Sequence, residues 1–375
     1  MSGIYIHIPF CKQACHYCNF HFSTSLKYKD DMVDAICNEI ELRKDYLTEK
    51  NLTSIYFGGG TPSLLSEENI DKIFSSLDKH FTWSMDAEIS LEANPDDLSA
   101  EKLKIFNNSA INRLSIGIQS FDQADLEYMN RAHNASEAEY CIKNAQDIGL
   151  TNISADLIYG SPTTSNETWN ENIDKMVAFE IPHISAYALT VEQGTALHHF
   201  INTGKVKPVD ESVAADQFNI LMDRLSTANF DHYEISNFAL KGHYAVHNSN
   251  YWLGVPYLGL GPAAHSFDGE NTRSWNLAHN PNYISSIKEN KLPIEHEKLS
   301  VEDTYNEFVL IRLRTIWGIN VKDLSNKFPQ QKDHFLRNVQ PYLDSCHIKL
   351  KEGVYRLSNI GKLIGDKISM ELFVE

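Results

Sequence analysis

No stretch of the 375 residues stays apolar for 18 positions, the length a membrane-spanning helix needs, so no span is expected. Met1-Ser-Gly-Ile has neither the basic nor the apolar region of a signal peptide. Cysteine is scarce, six in all with three of them gathered between positions 11 and 18, which is not the pattern of a secreted disulfide framework. Cys37, Cys141 and Cys346 are scattered through ordinary patterns and read as small buried hydrophobes. Basic charge is short too: 33 Lys and Arg against 50 Asp and Glu leave a net charge of −17. Such a surface disfavours non-specific nucleic-acid binding and anionic membranes, both of which draw on Lys and Arg. No internal repeat or low-complexity segment is evident. These absences describe a cytoplasmic protein of one large or two ordinary domains.

What is present is an alternation. Short apolar runs at Ile4–Ile8, Ser54–Phe57, Glu88–Glu92, Arg113–Gln119, Ile153–Tyr159 and His183–Leu189 read as strands buried on both faces. Helical patterns lie between them, over Tyr28–Leu47, from Ser66 as N-cap, and over Ser99–Asn107, Ser136–Gly149, Asn166–Phe179 and Glu211–Ala228. Six βα units predict an α/β fold on a parallel sheet, closed or open and doubly wound. Residues 231–300, rich in Gly, Pro, His, Asn and aromatics, read as irregular. Helical patterns return at Glu302–Ile316, Val321–Phe328 and His334–Leu343, followed by a hairpin over Ile348–Leu357 and a last helix over Asn359–Leu372. That order suggests a winged-helix-like module over 301–375. Its 11 Lys/Arg and 10 Asp/Glu make it nearly neutral, which favours a packing or lid role over DNA binding.

The chemistry lies at strand ends. Cys11-Lys-Gln-Ala-Cys15-His-Tyr-Cys18 follows the first strand and Pro9. Thiolates suit zinc and iron–sulfur clusters. No fourth cysteine is near, and Phe20 stands where one could sit. Three thiolates leave one iron of a 4Fe-4S cluster open to another molecule, while a zinc knuckle or three unrelated thiols remain alternatives on spacing alone. Gly58-Gly-Gly-Thr-Pro62 lets a ligand approach the backbone but lacks the Gly-Lys-Ser/Thr ending of a phosphate loop. Glu92, Gln119 and Asp156 close or lie in later strands, and Arg131 could pair a carboxylate in bidentate fashion. Each alone is more often structural. Together they recur at successive strand ends, where a shared site would be built.

Cys-x3-Cys-x2-Cys resembles the signature of radical S-adenosylmethionine (SAM) enzymes, in which SAM chelates the open iron and electron transfer to its sulfonium yields a 5′-deoxyadenosyl radical. Across nearly the whole chain the motifs resemble the oxygen-independent coproporphyrinogen III oxidase family and its relatives. The resemblance implies a partial (β/α)6 barrel over 1–230 and an electron donor for its cluster. It makes Cys11, Cys15 and Cys18 cluster ligands and Tyr5, Gly59, Gly60, Thr61, Glu92, Gln119, Arg131 and Asp156 SAM contacts. Tyr17 would lie beside adenine, and Tyr187 and Leu189 would add further contacts.

Two departures separate the chain from the oxidases. They carry a longer segment before the first strand and a fourth cysteine where this chain has Phe20. Both departures match a sister group of heme chaperones, as does His247-Asn-Ser-Asn-Tyr251-Trp252, which fits their His-Asn-x-x-Tyr-Trp motif. The resemblance implies heme contact there, with His247 as axial ligand, Tyr251 and Trp252 on the porphyrin face, and the motif outside the strand-rich core. His265 is a weaker heme candidate, and a Cys-Pro heme dipeptide is absent. The expectation is a heme chaperone holding a 4Fe-4S cluster, SAM and heme and serving heme-accepting proteins, with a radical decarboxylase of coproporphyrinogen as the alternative and a homodimer left open.

Overall fold

The computed structural model describes all 375 residues. At its centre, β1 (Gly3–Ile8), β2 (Asn51–Gly59), β3 (Thr82–Ala93), β4 (Arg113–Gln119), β5 (Ile153–Tyr159) and β6 (His183–Ala188) lie side by side in sequence order, all parallel. Helices Lys29–Leu42, Glu67–Leu77, Ala100–Asn108, Ala135–Asp147 and Asn166–Ala178 make the crossovers. Side chains alternate along each strand. Ile4, Ile6, Ile55, Phe57, Leu91, Leu114 and Ile116 join the helices in one apolar core. The other face carries Tyr5, Tyr56, Glu92, Ser115, Asp156 and Ser185, which line a single cavity of about 240 Å³. Six neighbouring strands share one cavity only if the sheet curls around it. The strands are therefore not apolar on both faces as expected: the inner face encloses a polar chamber, not a second core.

Residues 231–300 are not irregular. They form β7 (Asp231–Glu234), β8 (Asn237–Ala239), β9 (Tyr257–Leu260), β10 (His265–Phe267), β11 (Thr272–Asn276) and β12 (Ile294–Lys298), with helices Val246–Leu253 and Asn280–Lys288. These strands extend the sheet at both edges: β8 pairs antiparallel with β6, and β9 pairs parallel with β1, giving the order β12-β11-β10-β9-β1-β2-β3-β4-β5-β6-β8-β7. Of the glycines that suggested irregular structure, Gly259 lies within β9 and most others between the short strands; Gly261, at φ 97°, supplies a turn that other residues rarely adopt. Buried Glu39 ties the extension to the first helix. It accepts from Gly261 N (2.8 Å), Asn276 Nδ2 (2.8 Å) and Tyr283 OH (2.6 Å) and pairs with Arg43 (3.3 Å), so no charge is left unmet.

The apolar core divides near residue 300. One cluster of 56 buried residues ends at Ile287, and a second of 14 runs from Tyr305 to Leu372. The second holds helices Val301–Leu313, Val321–Lys327 and Lys332–Asp344 on a small sheet of β13 (Ile319–Asn320), β14 (Ile348–Lys351) and β15 (Val354–Leu357). The final helix, expected as one piece, is two, Asn359–Lys362 and Gly365–Glu371, because Ile364 N turns back to Gly361 O (3.2 Å). Ile235 N to Arg314 O (3.0 Å) and Ile316 N to Tyr233 O (2.8 Å) join this module to β7. No helix is long and apolar enough to cross a membrane.

Candidate cofactor site

The cysteine loop leaves β1 and is held at the C-terminal ends of the strands by its backbone. Cys11 N donates to Ser23 O (3.0 Å) and His16 N to Met129 O (3.1 Å). Asn130, in a left-handed conformation at φ 56°, latches the loop from the far side: its Nδ2 donates to Ala14 O (2.8 Å), and its carbonyl accepts from Gln13 Nε2 (2.9 Å). All three thiols are partly exposed. Burial pushes Cys11 up to about 11 and raises Cys18 as well, so a metal must displace their protons to bind. No three ligating side chains converge on a single-ion site. A four-iron cluster does not ask for such convergence, because each thiolate meets its own iron. Elsewhere, Cys141 is buried as expected, but Cys37 is half-buried and Cys346 exposed. Cys346 sits at φ 60° just past the helix Lys332–Asp344, a turn position and not a core one.

The glycine run closes against this loop. A Cβ on Gly60 would lie 2.6 Å from Phe10 O, so the approach of β2 to the start of the loop requires glycine. Thr61 N donates to Phe10 O (2.7 Å), and Thr61 Oγ1 accepts from Asn94 Nδ2 (3.1 Å). Asn94 also accepts from Arg131 Nη2 (2.6 Å), whose Nη1 reaches Cys15 Sγ (3.4 Å) and Tyr17 OH (3.3 Å). Arg131 Nε is buried without a partner. Gln119 ends β4 at φ 66°, beside a register shift against β5, a strained backbone of the kind that gathers at binding sites. Tyr17 packs on a small apolar cluster containing Leu189, Met129, Ile158 and Leu197.

Below this rim, Glu92 accepts from Tyr56 OH (2.7 Å) and from Gly59 N (3.1 Å). Burial raises Glu92 to about 7 against the pull of Tyr56, and the neighbouring Asp156 adds to the rise. Burial likewise raises Asp156 to about 6. Tyr5 OH bonds His7 Nδ1 (3.0 Å), and Tyr187, at the end of β6, shares the same cavity. Of the residues singled out in the sequence, Tyr5, Glu92, Asp156 and Tyr187 line this chamber, while Gly59, Gly60, Thr61, Gln119, Arg131, Tyr17 and Leu189 are not among its lining; the sequence did not point to Tyr56 and Asn94, which hold Glu92 and Arg131. Their signals were present: Tyr56 alternates with Gly58 toward the inner face of β2, and Asn94 follows Glu92 by two residues. An unpartnered guanidinium nitrogen, two buried carboxyls with raised pKa, a backbone opened by glycine and three neighbouring thiols fit a 4Fe-4S cluster with SAM.

His247 is placed otherwise than expected. It is not outside the core; helix Val246–Leu253 plugs the chamber at the N-terminal ends of the strands. His247 is buried and stacks on Tyr56, with ring centroids 5.2 Å apart. Its Nδ1 meets Ser54 Oγ (2.8 Å) and its Nε2 meets Tyr251 OH (2.9 Å), leaving neither nitrogen free for iron. Burial, with Arg113 nearby, lowers it to about 3, so it is neutral. Tyr251 faces the chamber with it, whereas Trp252 turns toward Arg314 of the C-terminal module, 5.8 Å from its ring. His265 is exposed at the start of β10, 5.8 Å from the Trp275 ring.

The pattern of the Radical SAM superfamily matches residues 5–176. The chain is 32% identical to the heme chaperone HemW of Bacillus subtilis over 98% of both chains. It is 34% identical to the heme chaperone HemW of Mycobacterium tuberculosis, covering 84% of this chain and 82% of that one. Among solved structures, coproporphyrinogen III oxidase (HemN) from Escherichia coli, a radical SAM enzyme, superposes with a TM-score of 0.84 at 21% identity, over 100% of this chain and 90% of that one, a likeness of fold.

Proposed function

Because the chain belongs to the HemW family of radical SAM proteins, we propose that it is a cytosolic heme chaperone that carries a 4Fe-4S cluster and SAM and passes heme to acceptor proteins. The observation that carries this reading is the near-full-length kinship with HemW. Cys11, Cys15 and Cys18 would hold the cluster, beside which SAM would bind. Together the two groups supply a reductive route to a carbon radical, fed by an external electron donor. The chain's own residues do the holding. Gly59 and Gly60, without side chains, let a ligand approach the backbone closely, while their own N–H groups are held by Glu92 and by Ile8 O. Glu92 and Asp156 accept hydrogen bonds from it, best when ionised. Arg131 steadies Cys15 and Tyr17, and Tyr17 with Leu189 offers an apolar wall. Residues 301–375 serve as a winged-helix-like packing module or lid.

Decarboxylation of coproporphyrinogen is the second reading, kept because the fold is shared with an oxidase. Phe20, 69% exposed beside the loop where the oxidases carry a fourth cysteine, speaks against it. One experiment separates the two. Protein reconstituted anaerobically with iron and sulfide receives SAM, reductant and coproporphyrinogen III, and 5′-deoxyadenosine and decarboxylated porphyrin are followed; a parallel sample is titrated with hemin. Saturable heme binding without porphyrin product is expected, and Cys15→Ala should lose its cluster iron. Product formation without heme binding would install the oxidase reading instead.

A further inference from the structure

In a chain of net charge −17, one cavity gathers cations. Its volume is about 320 Å³, and it lies at the seam between β7 and the two last helices. Arg314, Lys362 and Lys367 line it beside the apolar Ile235, Leu363 and Ile364. Asp366, the one carboxylate among its lining residues, is taken by Arg314 Nη1. Lys362 has no carboxylate partner: its Nζ donates to His232 Nδ1 (2.8 Å), and burial, with Lys349 nearby, lowers it to about 8. Arg314 keeps a buried Nε without a partner. Leu363 and Ile364 are 39% and 38% exposed, so apolar surface continues outward from the cations. Three cations against one carboxylate, with Lys362 and Lys367 in no ion pair, next to uncovered apolar side chains are complementary to an anion borne on an apolar body. The seam also reaches the His247 motif, because Arg314 lies over Trp252.

We propose that this seam is where heme is held by its carboxylates: Lys362, Lys367 and Arg314 meet the propionate edge of the porphyrin, and Leu363 and Ile364 cover part of the macrocycle. The inference rests on the heme-chaperone reading and adds the place. A cavity of about 320 Å³ takes the edge and leaves most of the ring accessible, which suits a ligand that must be handed on. No imidazole at the seam is free for the iron, since His232 Nδ1 is engaged by Lys362 and its Nε2 meets Ile235 O (2.9 Å). Affinity here comes from the carboxylates.

The test uses the full chain, with hemin, protoporphyrin IX and protoporphyrin IX dimethyl ester as probes, read by tryptophan fluorescence and the Soret band. The ester should bind about ten-fold more weakly than the diacid, the effect of losing a charged hydrogen bond. Lys362→Met and Lys367→Glu should each weaken the diacid about ten-fold while leaving ester and SAM affinity unchanged. Lys367 is exposed, so its variant informs even where Lys362→Met folds poorly. If wild type binds diacid and ester alike, or both variants bind the diacid as wild type does, the seam is not the site and the chaperone reading stands. If wild type binds neither hemin nor porphyrin, the chaperone reading itself falls.

Discussion

Glu92 and Asp156 are carboxyls held near neutrality by burial, at about 7 and about 6 against ordinary values of 4.5 and 3.8. SAM brings a cationic sulfonium and several donors, which a carboxylate accepts better than a carboxylic acid. Binding therefore releases protons, and SAM affinity should climb between about pH 5.5 and about pH 7.5, by up to ten-fold per unit for each proton released, then level off. Calorimetry across that range checks it, and Glu92→Gln should flatten the upper part of the rise; an affinity independent of pH in the wild type would refute the assignment. The ligand-free fold responds with the opposite sign. A carboxyl whose pKa is raised on folding binds its proton more tightly when folded, so its contribution is complete at acid pH and is lost as pH rises through 6 and 7. At this scale the sequence revealed residues that line the chamber and hid their supports. Tyr56 and Asn94 carry no motif of their own, and their importance comes from which neighbour each touches.

Among the elements, β1 to β6 were legible because each holds several closely spaced apolar residues and most are followed by a helical pattern. β7 to β12 were not, because strands of three to five residues offer too little alternation to register, and their pairing depends on a sheet edge far away in sequence. Helix Val246–Leu253 shows the consequence. Read as loop, its histidine and two aromatics share one ligand. As a helix, His247 and Tyr251 at i and i+4 share a face, and Trp252, one residue on, points elsewhere. Glu88 fixes this helix at its start, accepting from Val246 N (2.8 Å) and His247 N (2.9 Å), where a carboxylate also meets the helix dipole. His247→Ala would leave Ser54 and Tyr251 without their partner and a gap beneath Tyr56. It should cost about 2–4 kcal/mol in urea unfolding, while heme affinity and the Soret band stay as in wild type. A folded His247→Ala protein with an altered Soret band would return the imidazole to the iron.

For the whole molecule, charge and connection are unevenly spread. The acidic excess belongs to the barrel and its extension, while residues 300–375 balance 11 Lys/Arg against 10 Asp/Glu. A dicarboxylate approaching the protein thus meets its least repulsive surface at the C-terminal module, and the seam lies on that side. The seam exists only while the module is docked. Docking rests on two backbone bonds to β7, on Ile235 packed against the C-terminal core, on Lys362 at His232, on Arg314 over Trp252, and on Arg273 of β11, whose Nε and Nη2 grip Glu307 at 2.9 and 2.7 Å. Such a two-point pair, partly exposed on both sides, is worth about 1 kcal/mol. Arg273→Ala should therefore speed amide exchange at Ile235 and Ile316, whose N–H groups cross the seam, and weaken diacid porphyrin binding a few-fold. Cluster iron should be unchanged, because the cysteine loop is latched by Asn130 and not by the module. Faster exchange at both amides with porphyrin affinity intact would separate docking from heme binding and place the porphyrin away from the seam.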